Sequence, residues 1–466
     1  MNIKSLTLFI GPLAALIVFF LVREPSAAIT SNAVAITAAV ATICIIWWVF
    51  EPVPIPVTSL LPLAILQITG VLTANEVGQS YGSPLILLLL GGFILSKSME
   101  RSGAHLRLAL FMVNLFGGTS SKQLVLGFMV TAAMLSMWIS NTATTLMLLP
   151  VGLAIASQAK DKHLRVPLML GIAFAASIGG IGTPIGTPPN LVFMQIYQQQ
   201  FNKNIGFSEW MSWGIPVVSC MIPITWLWLT RRLNYIGGFD MPEVGKWSKS
   251  EKRVMAIFAL TATAWITRKE PFGGWSNLLD LPSANDASVA LNAVVLLFLI
   301  PAGNDSADRK DERLLDWKTA TTIPWGILLL FGGGITLAKA FGVSGLSSSL
   351  AEHLSALSTM PILVMIFAIC LSVTFLTETT SNTASTVLLM PVLAATAVGS
   401  DIDPKLLMIP ATISASCAFM MPVATAPNSI VYASGFFTTR TMAREGFVLN
   451  ICGTFTITAL CYLILS

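Results

Sequence analysis

Two stretches of the 466-residue chain gather the residue types that could do chemistry. Residues 140–151 read SNTATTLMLLPV and residues 381–392 read SNTASTVLLMPV, identical at eight of twelve positions. Four residues before each SNT stands another hydroxyl, Ser136 in the first and Thr377 in the second. Downstream, 184–190 reads PIGTPPN and 422–428 reads PVATAPN, which share the frame P-[IV]-[GA]-T-x-P-N. Asn141 lies 49 residues before Asn190, and Asn382 lies 46 residues before Asn428. Ser and Thr supply a hydroxyl, and Asn supplies a carbonyl acceptor and two N–H donors. Pro and Gly break helices and free backbone carbonyls. Such carbonyls with Ser and Asn oxygens suit a small hard cation, whereas helix N-termini, amide N–H groups and Thr hydroxyls suit an anionic group. Two equivalent clusters facing each other would make two cation sites flanking one anion with two ends. Polar residues of this kind can also simply bridge neighbouring membrane helices, but a doubled tetrad followed by a doubled second motif is hard to explain that way.

These residues need elements to hold them, and composition says which kind. Hydrophobic residues make up 55 % of the chain and charged ones 10 %, with a mean hydropathy of +0.78. Soluble domains are about one quarter charged, so a soluble domain set, a disordered chain and a nucleic-acid binder are excluded. A net charge of +4 does not call for a polyanionic partner. The expectation is an all-α polytopic membrane protein. The six cysteines form no CxxC pair and the three histidines lie far apart, so neither a disulfide framework nor a metal-ligand spacing emerges. Apolar stretches near 6–22, 33–50, 56–73, 84–100, 166–198, 211–230, 253–267, 288–301, 323–341, 405–436 and 446–465 predict about eleven transmembrane helices. The first begins just after Lys4 and reads as a span rather than a signal peptide, despite the small residues Ser26-Ala27-Ala28.

Two further stretches, 124–158 and 361–399, carry no Lys or Arg and are too long for one span. Each has its Ser/Asn/Thr cluster in the middle, which predicts a re-entrant helical hairpin that enters and leaves by one face. Loop charges support this. With a cytoplasmic N-terminus and two non-crossing hairpins, Arg23, Lys203, Arg268, Lys269, Lys339 and Lys405 fall outside and the other twenty basic residues inside, as the positive-inside rule requires. Five spans then separate the two SNT clusters, so the second repeat is inverted and the C-terminus lies outside. The segment LLLLGGFILSKS (87–98) echoes LLLFGGGITLAK (328–339) and extends the repeat upstream. The predicted organisation is N-terminal scaffold helices in 1–82, repeat one in 83–198 (hairpin 124–158, broken helix 166–198), connecting scaffold helices in 199–323, inverted repeat two in 324–436 (hairpin 361–399, broken helix 405–436) and a C-terminal helix in 437–466. Inverted repeats with polar breaks at matching places point to a transporter site at the membrane midplane.

No Lys or Arg occurs in 123–159, 166–202 or 340–404. An anion at the clusters must therefore lean on helix ends, amides and bound cations, which is a physical reason to expect cation coupling. Glu378 is the one acid inside a hairpin, and Met137 is its counterpart in repeat one. It is either a carboxylate that holds backbone N–H groups of the tip or a protonated side chain. Trp residues near span ends, such as Trp47, Trp48, Trp226 and Trp228, read as interface anchors. Gly91-Gly92 and Gly332-Gly333-Gly334 read as close-packing positions. An intramembrane enzyme is disfavoured, since HExxH and GxSxG are absent and Asp residues fall in loops. An ion channel has no need of inverted hairpins with anion-binding tips.

The duplicated SNT and P-x-x-T-x-P-N motifs resemble those of the divalent anion:sodium symporter family, the sodium/dicarboxylate, citrate and sulfate transporters. Residues 415–431, ASCAFMMPVATAPNSIV, resemble that family's signature around a broken late helix. The resemblance covers nearly the whole chain. It implies a homodimer of eleven-helix protomers with two re-entrant hairpins, working by an elevator movement of the region that holds the hairpins. It implies that Asn141 and Thr142, with Asn382 and Thr383, grip substrate carboxylates, and that Thr187 and Thr425 complete the pocket. One Na⁺ would lie by Ser136, Ser140, Asn141 and the Gly186 carbonyl, the other by Thr377, Thr380, Asn382 and the Ala424 carbonyl. The implied activity is Na⁺-coupled symport of C4-dicarboxylates such as succinate, malate and fumarate, with two or more coupled ions, in a bilayer expected to be a bacterial inner membrane. A dicarboxylate exchanger, or a sulfate or citrate carrier, shares the same motifs. Repeat two has Ala426 where repeat one has Pro188.

Overall fold

The computed structural model describes residues 3–24, 32–116, 120–158, 161, 163–235, 246–269, 273–303, 312–354 and 360–466. Lys160, Lys162, Arg309 and Lys310 of the charge count, and the Ser26-Ala27-Ala28 stretch, lie outside them. Among the described residues the fold is helical, with one isolated bridge between Pro301 and Arg313. In a bilayer the helix is the element that satisfies its own backbone polar groups.

The chain opens with α1 (Ile3–Val22) packed along α2 (Ala33–Phe50), then α3 (Ile55–Thr58), α4 (Leu61–Ile68) and α5 (Ala74–Tyr81). A series then begins that is later repeated. It comprises α6 (Pro84–Ser102), α7 (Ala104–Phe116), α8 (Ser121–Ser136), α9 (Asn141–Gln158), α10 (Arg165–Gly179), a 3-10 turn over Gly180–Gly182, α11 (Pro188–Phe201) and α12 (Phe207–Thr230). Next come α13 (Lys249–Ile266), α14 (Gly274–Leu278), α15 (Asp286–Leu299) and α16 (Trp317–Ala320). The second series is α17 (Trp325–Ser344), α18 (Leu346–Leu354), α19 (Ile362–Leu376), α20 (Asn382–Gly399), α21 (Pro404–Ala415), α22 (Ala426–Tyr432) and α23 (Thr439–Leu465). Eight helical segments among the described residues are long and apolar enough to cross a membrane, and six more apolar helical stretches are shorter. Each of the eleven apolar stretches read from the sequence contains helix, 166–198 and 405–436 being broken as expected, and both long uncharged stretches are helix-turn-helix units, α8–α9 and α19–α20. The protein is an integral membrane protein.

Sequence periodicity did not single out α7 and α18. Each follows its long helix after one left-handed glycine, Gly103 (φ 77°) and Gly345 (φ 83°), and turns back onto the hairpin of its own series, α7 on α8 and α18 on α20. α12 packs on α8 and α10 just as α23 packs on α19 and α21, so each structural unit runs one helix beyond the repeat visible in the sequence.

The core sits at the broken helices. Every residue from Leu168 to Gly179 in α10 and from Leu406 to Ala415 in α21 is buried. The two series interlock there: α11 packs on α20, and α22 packs on α9 and α10. The glycine pair of α6 also faces two partners. A Cβ on Gly91 would sit 2.6 Å from Ala290 of α15, while Gly92 faces Ile185 at 3.5 Å. On α17, Gly333 packs against the Ser59 backbone and Gly334 against Val387 of α20. These glycines allow close helix approach, as expected.

Candidate substrate and cation site

The two helix breaks are built alike. Asn190 Nδ2 donates to Gly180 O at 3.0 Å and to Thr183 O at 2.7 Å. Asn428 Nδ2 donates to Ala418 O and to Met421 O, both at 3.0 Å. Each Asn stands early in the helix that follows the break and ties down carbonyls freed by it. Both are completely buried. Pro fits the first turn of α11 and α22 because no N–H is needed there. Thr425 Oγ1 caps α22 by accepting from Asn428 N at 3.2 Å.

Against the first break lies the tip of the α8–α9 hairpin. One terminal atom of the Asn141 amide lies 2.5 Å from Ser136 Oγ and 3.3 Å from the carbonyl oxygens of both Ala176 and Gly186. With its nitrogen turned inward, Asn141 donates to all three. With its oxygen inward, four oxygens converge, which is the donor set of a hard cation. A Cβ on Gly180 would sit 2.8 Å from the Asn141 amide, and one on Gly186 would collide with the Gly180 carbonyl, so the cluster needs glycine at both places. Ser140 Oγ caps α9, accepting from Ala143 N at 3.2 Å.

The second tip keeps the pattern. Thr377 Oγ1 donates to Asn382 Oδ1 at 2.5 Å and lies 3.0 Å from Ala415 O. Thr380 is engaged within its own hairpin, bonded to Leu376 O at 2.9 Å and to Ser385 Oγ at 2.6 Å. Ser381 caps α20 through Ala384 N.

The motifs meet at one cavity of about 1050 Å³. Its wall includes all six residues expected to bind substrate, Asn141, Thr142, Thr187, Asn382, Thr383 and Thr425, and also Ser140, Gly186, Thr380 and Ala424. Ser136 and Thr377 do not reach it; they are fully buried behind the tips. The charged residues on the wall, Lys4, Glu51, Lys97 and Glu100, belong to none of the motifs, and Lys97 and Glu100 are paired at 2.6 Å. At the motifs the cavity offers only hydroxyls, amides and backbone. The rest of the wall is largely apolar, and the polar groups of the motifs suit a small anion that shares the space with cations rather than one gripped by Arg.

Comparison with known proteins agrees. The model of the citrate transporter family (CitMHS) matches residues 45–408. The chain belongs to that family. It is similar to the sodium-dependent dicarboxylate transporter SdcS of Staphylococcus saprophyticus, 40 % identical over 443 residues, covering 90 % of this chain and 82 % of the relative. SdcS of Staphylococcus aureus strain MRSA252 is 39 % identical over 453 residues, covering 92 % and 85 %. Two solved transporters share the fold. Neisseria gonorrhoeae MtrF has a TM-score of 0.59 at 14 % identity, covering 85 % of this chain and 83 % of that one. Alcanivorax borkumensis YdaH has a TM-score of 0.57 at 15 % identity, covering 87 % and 88 %. The resemblance to sodium-coupled divalent-anion carriers, read from the motifs, is borne out at the level of the family.

Within this citrate-transporter fold several working residues were not singled out by sequence. The Asn190 and Asn428 braces were seen as motif letters, but their double donation was not. Thr183 Oγ1 donates to Met137 O and so joins the first tip to the first break. The second tip is joined by Glu378. Its Oε1 accepts from Phe419 N (2.7 Å), Met420 N (2.8 Å) and Asn450 Nδ2 (2.7 Å), and its Oε2 from Met421 N (2.9 Å). Of the two readings of Glu378, the carboxylate that holds backbone N–H groups fits four converging donors, but the N–H groups belong to the helix break at 419–421 rather than to the hairpin tip. The broken repeat symmetry with Met137 had already singled out Glu378; what the sequence did not give was its partners.

Proposed function

We propose that this member of the citrate transporter family is a secondary active transporter that moves C4-dicarboxylates such as succinate, malate and fumarate together with two or more Na⁺ ions. The observation that carries the reading is the single cavity onto which both SNT motifs and both P-x-x-T-x-P-N motifs open, motifs that themselves contain no Lys or Arg. Asn141, Thr142 and Thr187 take one carboxylate, and Asn382, Thr383 and Thr425 take the other. One Na⁺ is assigned to Ser136, Ser140, Asn141 and Gly186 O, near the carbonyls that crowd Asn141. The second is assigned to Thr377, Thr380, Asn382 and Ala424 O. The names of the SdcS relatives support both sodium and dicarboxylate.

The cavity runs along α6 from Leu89 to Glu100 and reaches Lys4 and Lys97, residues that the charge count puts on the cytoplasmic side. A much smaller cavity, about 360 Å³, borders the other end of α6 at Pro84–Leu88. We therefore take this conformation as open to the cytoplasm, with a cytoplasmic N-terminus, an external C-terminus and the plasma membrane as location. The interlocked hairpins and breaks are proposed to move as one body against the remaining helices, an elevator, within a homodimer.

The test is uptake of labelled succinate by proteoliposomes under an inward Na⁺ gradient. Uptake that needs the gradient and no internal substrate is expected. Uptake without Na⁺ but with internal succinate overturns symport in favour of exchange. The citrate description of the matching family favours a second cargo, so a counterflow panel of succinate, citrate, sulfate and glutamate assigns the substrate.

A further inference from the structure

The two breaks are satisfied differently, repeat one offering a carbonyl to the helix packed behind it and repeat two offering N–H groups to its own hairpin tip. In repeat one the 3-10 turn Gly180–Gly182 continues past α10, and what it presents is a carbonyl: Ile181 O accepts from Trp210 Nε1 of α12 at 2.8 Å. Repeat two has no such turn. After α21 the chain is non-helical through Phe419, Met420 and Met421, with a bend at Met420, and its three N–H groups converge on one carboxylate. Unsatisfied N–H groups at this depth are costly, and an acceptor must come from elsewhere. Glu378 supplies it from the hairpin tip, and Asn450 of α23 holds the carboxylate from behind. Both side chains are buried, and no described Lys or Arg is paired with the carboxylate. One residue earlier stands Thr377, bonded to Asn382 and Ala415 O.

We infer that Glu378 and Asn450 form a positioning clamp for the second cation site: they fix the unwound 419–421 backbone against the hairpin tip and so hold Thr377 and Asn382 in register, without touching the ion. The inference rests on the cation assignment proposed above. It makes the two sites unequal, because repeat one joins tip to break through the uncharged Thr183–Met137 contact and needs no buried charge.

The test uses full-length protein in proteoliposomes and in detergent. Glu378→Gln removes the charge and turns one N–H against the Met421 N–H. Asn450→Ala leaves the carboxylate in place and removes only its rear support. The Na⁺ concentration for half-maximal succinate uptake should rise about 5- to 10-fold in Glu378→Gln and by less, in the same direction, in Asn450→Ala, as expected for one or two misplaced hydrogen bonds. Succinate KM at saturating Na⁺ should move less than the Na⁺ requirement does, because Thr377 serves the ion alone whereas Asn382, held with it, also takes a carboxylate. The Na⁺-induced thermal stabilisation of the detergent-purified protein should shift to the same higher Na⁺. An unchanged Na⁺ requirement in a folded Glu378→Gln protein overturns the clamp. A shift in Glu378→Gln with none in Asn450→Ala overturns positioning in favour of direct ligation. If Glu378→Gln does not fold, an unchanged Asn450→Ala is by itself sufficient to reject the inference. Wild-type uptake and stability that ignore Na⁺ bring down the cation assignment itself, an outcome distinct from all of these.

Discussion

Phe174 of α10 and Phe419, just beyond α21, meet with ring centroids 5.0 Å apart and planes inclined at 51°. Both are fully buried, and they are the point at which the two broken helices touch ring to ring. Replacing either by Ala should cost about 3–5 kcal/mol, since a cavity opens at the centre of the fold. Leu at either place should cost much less. The pair should be non-additive, because removal of one ring already empties the contact. Thermal unfolding of the purified single and double variants measures this; strictly additive losses would show that the rings do not depend on each other.

Asn141→Ala and Asn382→Ala should each abolish succinate uptake while the protein remains folded. Each side chain lines the cavity and also reaches the buried hydroxyl behind its tip, Ser136 or Thr377. The loss therefore strikes substrate and cation contacts together. Retained transport in both single variants, measured in proteoliposomes, contradicts the site assignment.

Much of this architecture was legible because a bilayer simplifies the code. Uncharged runs longer than one span had to double back, and their ends at 124–158 and 361–399 fall within a few residues of α8–α9 and α19–α20. The breaks were legible from Pro and Gly. α7 escaped because its apolar residues are interrupted by His105, Arg107 and Asn114, and α18 because three serines and a charge dilute so short a helix. The Glu378 clamp escaped for a different reason. Its partners lie 41, 42, 43 and 72 residues away, and three of them are main-chain N–H groups that no side-chain type announces.

Repeat one should tolerate less bulk than repeat two at the third residue of the P-x-x-T frame. A methyl on Gly186 would collide with the Gly180 carbonyl, a backbone atom that cannot swing aside, whereas repeat two already carries Ala424 there. Gly186→Ala should therefore lower uptake and destabilise by about 1–3 kcal/mol, and Ala424→Gly should leave uptake near normal. Comparison of the two variants for uptake and unfolding temperature checks this; equal tolerance at both positions would show that the first break can relax.

The two bracing asparagines should be replaceable by nothing that lacks donors. In both, the amide nitrogen donates twice while the buried amide oxygen has no partner among the described residues. The donors thus account for the residue type. Ala at Asn190 or Asn428 removes both side-chain donations, from Gly180 O or Ala418 O and from Thr183 O or Met421 O, the last two keeping only the turn N–H of Gly186 or Ala424, at about 1–3 kcal/mol in all. Asp keeps the shape but turns an acceptor-only group with negative charge toward the same carbonyls, and a buried unpaired charge costs about 3–5 kcal/mol. The expected order of stability is wild type, then Ala, then Asp, with uptake lost in both variants. Asp variants as stable as wild type in thermal unfolding would mean that the breaks are held by some other contact.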